Sequence, residues 1–253
     1  MANWFTTITT PAQRAFLLAT GVAFGLSACA NTATKAAPKA DGLWQGKKAA
    51  VVLTYDDSIA EHLDNALPEL DKRGLKATFY VTIDTTAFRE RLPEWQAVAK
   101  NGHELGNHTL FHPCDGSLPG RDWVAKDRDL SKWTVKQMVD NLRIAGATLE
   151  AIDGEKERTF AYTCGDTTAG GESFVDAIKP YFLGARAVDY GLFKPKDVDL
   201  FSIKTYALQG QSAEQLTEQV DKAIAQGGLL VFLFHGVGGG HFWRAFTYWH
   251  RLI

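Results

Sequence analysis

The chain has 253 residues, 45% hydrophobic and 22% charged, with 27 Lys+Arg against 29 Asp+Glu for a formal net charge of −2. This balance excludes a disordered chain, a collagen-like repeat and a multi-span membrane protein, and it lacks the basic excess of a nucleic-acid binder. The length predicts one domain or two small ones, and three cysteines are too few for a disulfide-built scaffold.

The N-terminus reads as an address, to be set aside before any fold reasoning. Arg14 precedes an uncharged apolar run from Ala15 to Leu26, shorter than the roughly 20 residues a bilayer span needs. The run leads into Leu26-Ser27-Ala28-Cys29, which resembles a bacterial lipobox. Residues 1–28 are therefore expected to be a lipoprotein signal peptide, with Cys29 as the lipidated new N-terminus. A plain signal peptide with a coincidental cysteine, or a buried helix, is the alternative. Ala30 after the cysteine points, by resemblance to bacterial lipoproteins, to the outer membrane. The expected location is the cell envelope, lipid-anchored and periplasmic or outer-membrane-associated, or else secreted. Residues 29–46 are rich in Ala, Lys and Pro and read as a flexible tether. The folded domain is expected over 47–253.

From Lys48 onward short apolar runs alternate with amphipathic ones. Strands are predicted at 49–55, 77–82, 103–108, 158–162, 182–188, 200–207 and 229–235. Helices are predicted near 59–73, 92–101, 134–151, 171–180 and 212–226, and 113–133 reads as a long loop. Val51-Val52-Leu53 and Leu229 to Phe234 are continuous apolar runs, as in strands buried on both faces of a parallel sheet. The fold class is thus α/β, an α/β barrel or an open sheet. In either, chemistry belongs at the C-terminal ends of the strands.

Polar residues gather at those ends. The first strand runs into Thr54-Tyr55-Asp56-Asp57-Ser58. The two carboxylates either point to opposite sides or share one cation, while Asp57 or Ser58 could instead cap the helix that follows. The third strand gives His103-Glu104-Leu105-Gly106-Asn107-His108-Thr109-Leu110-Phe111-His112. One turn of helix would put His108 and His112 on one face, a spacing that suits two imidazoles on one metal. His103 precedes the strand proper and is expected to be structural. The last apolar strand closes on Leu233-Phe234-His235-Gly236. Two histidines and a carboxylate leave open metal positions for water and substrate, and a second carboxylate with a separate histidine supplies a base and an acid.

These three segments, in this order over residues 49–236, resemble the polysaccharide deacetylases of the NodB-homology type (carbohydrate esterase family 4). Thr54-Tyr55-Asp56-Asp57-Ser58 is similar to their TFDDG motif, His108-Thr109-Leu110-Phe111-His112 to H-[ST]-x-x-H, and Leu233-Phe234-His235 to L-x-H. The resemblance implies a distorted (β/α) barrel of about seven strands. It implies that Asp57, His108 and His112 hold a divalent metal, usually zinc, that Asp56 is the base activating the attacking water, and that His235 is the acid protonating the leaving group. The implied reaction removes acetyl groups from N-acetylated sugars of a polysaccharide or oligosaccharide. An O-acetyl esterase and an inactive carbohydrate-binding lipoprotein are the alternatives. No nucleic-acid partner is expected, and membrane contact only through the N-terminal lipid.

Three departures stand out. Ser58 replaces the usual glycine, which a capping serine would tolerate. The R-x-P-[YF] segment becomes Phe160-Ala161-Tyr162-Thr163-Cys164-Gly165-Asp166, without its arginine. Arg186, on a later strand, is the candidate substitute for orienting the base, and the backbone N–H of Cys164 would take the oxyanion-binding place. After about residue 241 the chain turns aromatic and ends at Ile253, so a truncated or frameshifted gene and an incomplete barrel are expected. Cys114 and Cys164 both follow site strands and are expected to form a disulfide pinning the active-site loop, with two free thiols as the alternative. Trp95, Trp123, Trp133 and Tyr162 are candidates for sugar stacking, and Asp189, Asp197 and Asp199 for tuning His235.

Overall fold

The computed structural model describes Trp44, residues 46–194 and residues 198–238. The expected signal peptide, Cys29, most of the tether and the aromatic stretch after residue 241 lie outside the described residues. Seven parallel strands form a closed barrel in the order β1-β2-β3-β4-β7-β8-β9. In chain order these are β1 (Ala50–Asp56), β2 (Thr78–Val81), β3 (Glu104–Asn107), β4 (Phe160–Ala161), β7 (Ala185–Tyr190), β8 (Ile203–Ala207) and β9 (Leu229–Phe234), with a separate two-stranded hairpin of β5 (Thr168–Ala169) and β6 (Glu172–Ser173). The helices are α1 (Leu67–Lys72), α2 (Thr86–Glu90), α3 (Leu92–Lys100), α4 (Val135–Asp153), α5 (Val175–Ile178) and α6 (Ala213–Gln226), and a π-helix, His62–Ala66, precedes α1.

The period-2 alternation of strands explains where the core and the site sit. Tyr55 points outward from β1 and stacks on Phe79 of β2 and Phe234 of β9, at ring separations of 5.0 and 4.9 Å. Leu63, Leu70, Trp95, Val98 and Leu216 from the surrounding helical segments close over this aromatic row. Asp56, the next residue, therefore points the other way, into the mouth of the barrel. A second cluster around Phe160, Tyr162, Phe174, Met138 and Leu142 packs α4 and α5 against β4.

The long helices start and stop where the sequence tells them to. Thr134 with Gln137 and Ser212 with Gln215 form capping boxes at α4 and α6. Gly154 and Gly227 end those helices in left-handed conformation. The helix predicted near 59–73 forms over residues 60–72, with the turn before Pro68, which has no N–H to give to it, wound as the π-helix. The helix predicted near 171–180 shrinks to α5. Gly170 and Gly171, both at positive φ, make a two-residue hairpin turn between β5 and β6. The helix α2 was not expected; Thr85 caps it by accepting from Phe88 N. The expected gap in the barrel is corrected: β9 pairs with β1 from Ala50↔Leu229 to Tyr55↔Phe234, so the ring closes before residue 239.

Candidate active site

Asp56 is the last residue of β1 and is buried. Its register partner is Tyr80, and that of Tyr80 is Gly106. A Cβ at Gly106 would lie 2.5 Å from the Tyr80 ring, so only glycine leaves room for it. The Arg186 guanidinium lies over the same ring, 5.0 Å from its centre. From there Arg186 Nη2 donates to Asp56 Oδ2 and Nη1 donates to Ala187 O at 3.0 Å. Arg186 is the register partner of Ala161. It thus stands one strand over from the segment that lacks an arginine, at the same level of the barrel.

Asp57, His108 and His112 come together beside this pair. Asp57 Oδ1 is 3.4 Å from His108 Nε2 and 3.3 Å from His112 Nε2. Donors about 2.1 Å from a tetrahedral metal stand about 3.4 Å apart, so both distances suit a zinc-like ion, and all three ligand atoms lie within 4.8 Å of one another. His108 Nδ1 is 2.9 Å from Ala161 O. A carbonyl only accepts, so Nδ1 carries the proton and Nε2 is left to bind a metal. Burial pushes the Asp57 carboxyl up, but His108, His112 and His235 outweigh it and hold it well below the usual carboxylate range. Burial pushes His108 down, yet Asp56 and Asp57 together raise it above the ordinary histidine value. His112 is lowered to about 4, by burial and then by His108.

The two histidines do not share a helix face, as their spacing suggested. They bracket a loop with Thr109 and His112 at positive φ. Asn107 Oδ1 accepts from Thr109 N, Thr109 Oγ1 from His112 N, and Asn141 Oδ1 from Leu110 N, all at 2.8–2.9 Å. Ser58 is not a helix cap either. It sits at φ 46°, a backbone setting that glycine takes without strain, and its Oγ donates to Thr82 O at 2.8 Å, tying the end of β1 to that of β2. Among the described residues, every non-glycine at positive φ (Asp57, Ser58, Thr109, His112 and Cys164) lies in the turns after β1, β3 and β4. Such strain gathers where a site is held in a fixed shape.

Cys114 and Cys164 are joined in a disulfide. Cys114 Sγ lies 3.6 Å from His112 Nδ1. His112, Cys114 and Cys164 have ligand atoms close enough for a metal, but with both sulfurs in the disulfide they are no metal site. Arg121 bonds to Asp166 and to Cys164 O, fastening the long 113–133 loop to the turn after β4. Cys164→Ser is expected to cost about 2–4 kcal/mol of stability, because the bridge closes a loop of about 50 residues. Urea melts of the oxidised and reduced wild type should differ by the same amount, and coincident melts would contradict this.

His235 follows β9, and its Nε2 is 3.7 Å from Asp57 Oδ2. Of the acids considered for tuning it, Asp189 is exposed, Asp199 accepts from Phe201 N, and Asp197 lies outside the described residues; the carboxylate facing His235 is that of Asp57. His103 stays apart, bound to Ala77 N and Asp71. Trp95 and Tyr162 are buried in the core, and Trp133 packs against the second cluster. Trp123 is 65% exposed, and with Phe111 and Arg128 it lines a depression that shares His112 with the site.

Sequence reasoning missed His62, which is fully buried and lies 2.8 Å from His235 O through Nε2. Its signal was only a histidine inside an apolar helix face. Burial lowers its pKa to about 4, offset in part by that hydrogen bond and by Asp57 and Asp56. The unfolded chain, titrating near 6.5, then binds more protons than the folded one between pH 6.5 and 4. The contribution is present above pH 6.5 and is lost as pH falls to about 4, by about 3 kcal/mol. Melts across that range should show the slope in wild type and a shallower one in His62→Gln; equal slopes would count against it.

The polysaccharide deacetylase profile matches residues 45–173, just over half of the chain. A protein of Bacillus subtilis (strain 168), "Uncharacterized protein YlxY", is 31% identical over 101 residues, 40% of this chain and 26% of the relative. A gellan lyase from a Bacillus species is 27% identical over 179 residues, 70% of this chain and 6% of the relative. The chain thus spans about a quarter or less of the length of these curated relatives. The fold is similar to a solved structure from Mycobacterium smegmatis assigned to the polysaccharide deacetylases, with TM-score 0.51 at 14% identity over 75% of this chain and 77% of that one. The matched span holds Asp56, Asp57, His108 and His112 in a (β/α)7 barrel, and with them this chain belongs to the polysaccharide deacetylase family.

Proposed function

We propose that the chain is a metal-dependent hydrolase that removes acetyl groups from N-acetylated sugars of a polysaccharide. The observation that carries this is the convergence of Asp56, Asp57, His108, His112 and His235, from three strand ends, around one point at the barrel mouth. Asp57, His108 and His112 hold a divalent ion, with zinc the natural match for two imidazoles and a carboxylate. When bound, that ion polarises the acetyl carbonyl and makes water a better nucleophile at neutral pH. Asp56 takes the proton from the attacking water, with Arg186 fixing the direction of its carboxylate. The Cys164 N–H is assigned to the oxygen that gains charge as the carbonyl is attacked, by its place in the turn after β4. His235 gives its proton to the departing amine. The exposed Trp123 and Phe111 beside His112 offer faces to sugar rings of the chain that carries the acetyl group. Cys29 carries the lipid that tethers this domain to the cell envelope.

The test combines bound metal with acetate release, on purified residues 30–253, using N-acetylated chito-oligosaccharides and O-acetylated xylan. One equivalent of metal with acetate released from the chito-oligosaccharides, both lost in Asp57→Ala, is the expected outcome. Release from acetylated xylan alone would replace the amide reading with an ester one. Metal without release from either would overturn the hydrolase reading.

A further inference from the structure

The residues that carry His235 have no strand or helix to hold them: positions 235–238 leave β9 as bends. Two side chains of the π-helix reach their backbone. His62 Nε2 lies 2.8 Å from His235 O, and Asn65 Nδ2 donates to Val237 O at 2.6 Å. The contacts span 173 and 172 residues of sequence. The carbonyl of His235 can only accept, so His62 carries its single proton on Nε2; its Nδ1 makes no hydrogen bond.

Packing alone does not explain a histidine here. His62 is fully buried, edge-on to Tyr55 at 5.5 Å and tilted against Phe79 at 5.8 Å. A leucine would fill that space without leaving a buried ring nitrogen unsatisfied. What only a polar side chain supplies is the grip on the His235 carbonyl. π-turns inside helices recur at functional sites, and this one carries both gripping residues.

We infer that His62 and Asn65 are a positioning pair that clamps the His235–Val237 backbone and thereby fixes where the His235 ring meets the leaving group. The inference rests on His235 being the acid of the proposed reaction. His62 and Asn65 bond to the backbone of His235 and Val237. Both act through His235, whose ring is attached at the clamped residue itself. A misplacement of about 1 Å at a reacting group is enough to cost about a hundredfold in rate.

The experiment compares His62→Leu, His62→Gln and Asn65→Ala with wild type, each metal-loaded. Glutamine places an N–H near the position of imidazole Nε2. The readouts are kcat and KM for acetate release, metal stoichiometry, and amide hydrogen exchange over residues 235–238. His62→Leu is expected to lower kcat tenfold to a hundredfold with KM and metal unchanged, and to speed exchange over 235–238. His62→Gln is expected to restore both. Asn65→Ala, at a half-buried position, should loosen the same amides and covers the case in which His62→Leu does not fold. Unchanged exchange in both His62→Leu and Asn65→Ala would overturn the clamp, as would a kcat loss that glutamine does not rescue. If wild type releases no acetate, the deacetylase reading fails, and faster exchange at 235–238 in the variants still upholds the clamp.

Discussion

Replacing Arg186 with methionine is expected to cost about 3–5 kcal/mol of stability, because it strands a carboxylate in the barrel mouth. Arg186 and Asp56 are 2% and 3% exposed. A domain of this size loses about 2–4 °C in Tm for each kcal/mol, so a drop of roughly 6–20 °C is the expected reading. Activity falls too. Without the Arg186 guanidinium nothing fixes the direction in which the Asp56 carboxylate meets the attacking water. The double variant Arg186→Met/Asp56→Leu separates the two effects: it should regain most of the stability, since removing both charges is often neutral, and none of the activity. Arg186→Lys should recover little, because a point charge cannot both bond to Asp56 and hold Ala187 O while stacking on Tyr80. An Arg186→Met variant that melts with wild type would remove the pair from any account of this site.

Asp56→Asn is expected to lower kcat for acetate release by about 10²–10⁴-fold while leaving bound metal intact. Asparagine keeps the shape and a hydrogen bond for Arg186 but cannot accept the proton of the attacking water. Asp57→Ala should instead lose metal and activity together, because Asp57 Oδ1 is the atom both histidines face. The contrast between neighbours in sequence is the informative result. Metal lost in Asp56→Asn, or activity kept within a few-fold, would reverse the roles given to the two carboxylates.

The last barrel strand was legible because a strand buried on both faces leaves a continuous apolar run, as in Leu229 to Phe234; the run Val51-Val52-Leu53 also marks a strand, but Val51 is 42% exposed. The hairpin of β5 and β6 was not, because Gly170-Gly171 reads as punctuation at the start of an amphipathic stretch. Only the positive φ of both residues turns it into a hairpin. The histidine spacing of the His108–His112 segment was legible, but its geometry was not. Four residues fit one helical turn, yet Asn107, Thr109 and Asn141 hold the segment as a strained loop. Serine at 58 looked like a cap and proved to be a tie to β2, since capping requires a helix to begin at the next residue, and the turn begins later.

The sequence by itself determined the order of the seven barrel strands and pointed to the reactive set, because a parallel α/β barrel places the residues after each strand on one rim. That rule singled out the three segments, and their resemblance to the deacetylase motifs picked Asp56, Asp57, His108, His112 and His235 within them. Only the tertiary structure decided which arginine faces Asp56, which carboxylate faces the histidines, and that His62 and Asn65 grip the segment carrying His235. The Arg186–Asp56 contact joins residues 130 apart and the His62–His235 contact residues 173 apart. Local periodicity reports the face on which a side chain lies, whereas strand register and ring closure set which distant side chain lies opposite.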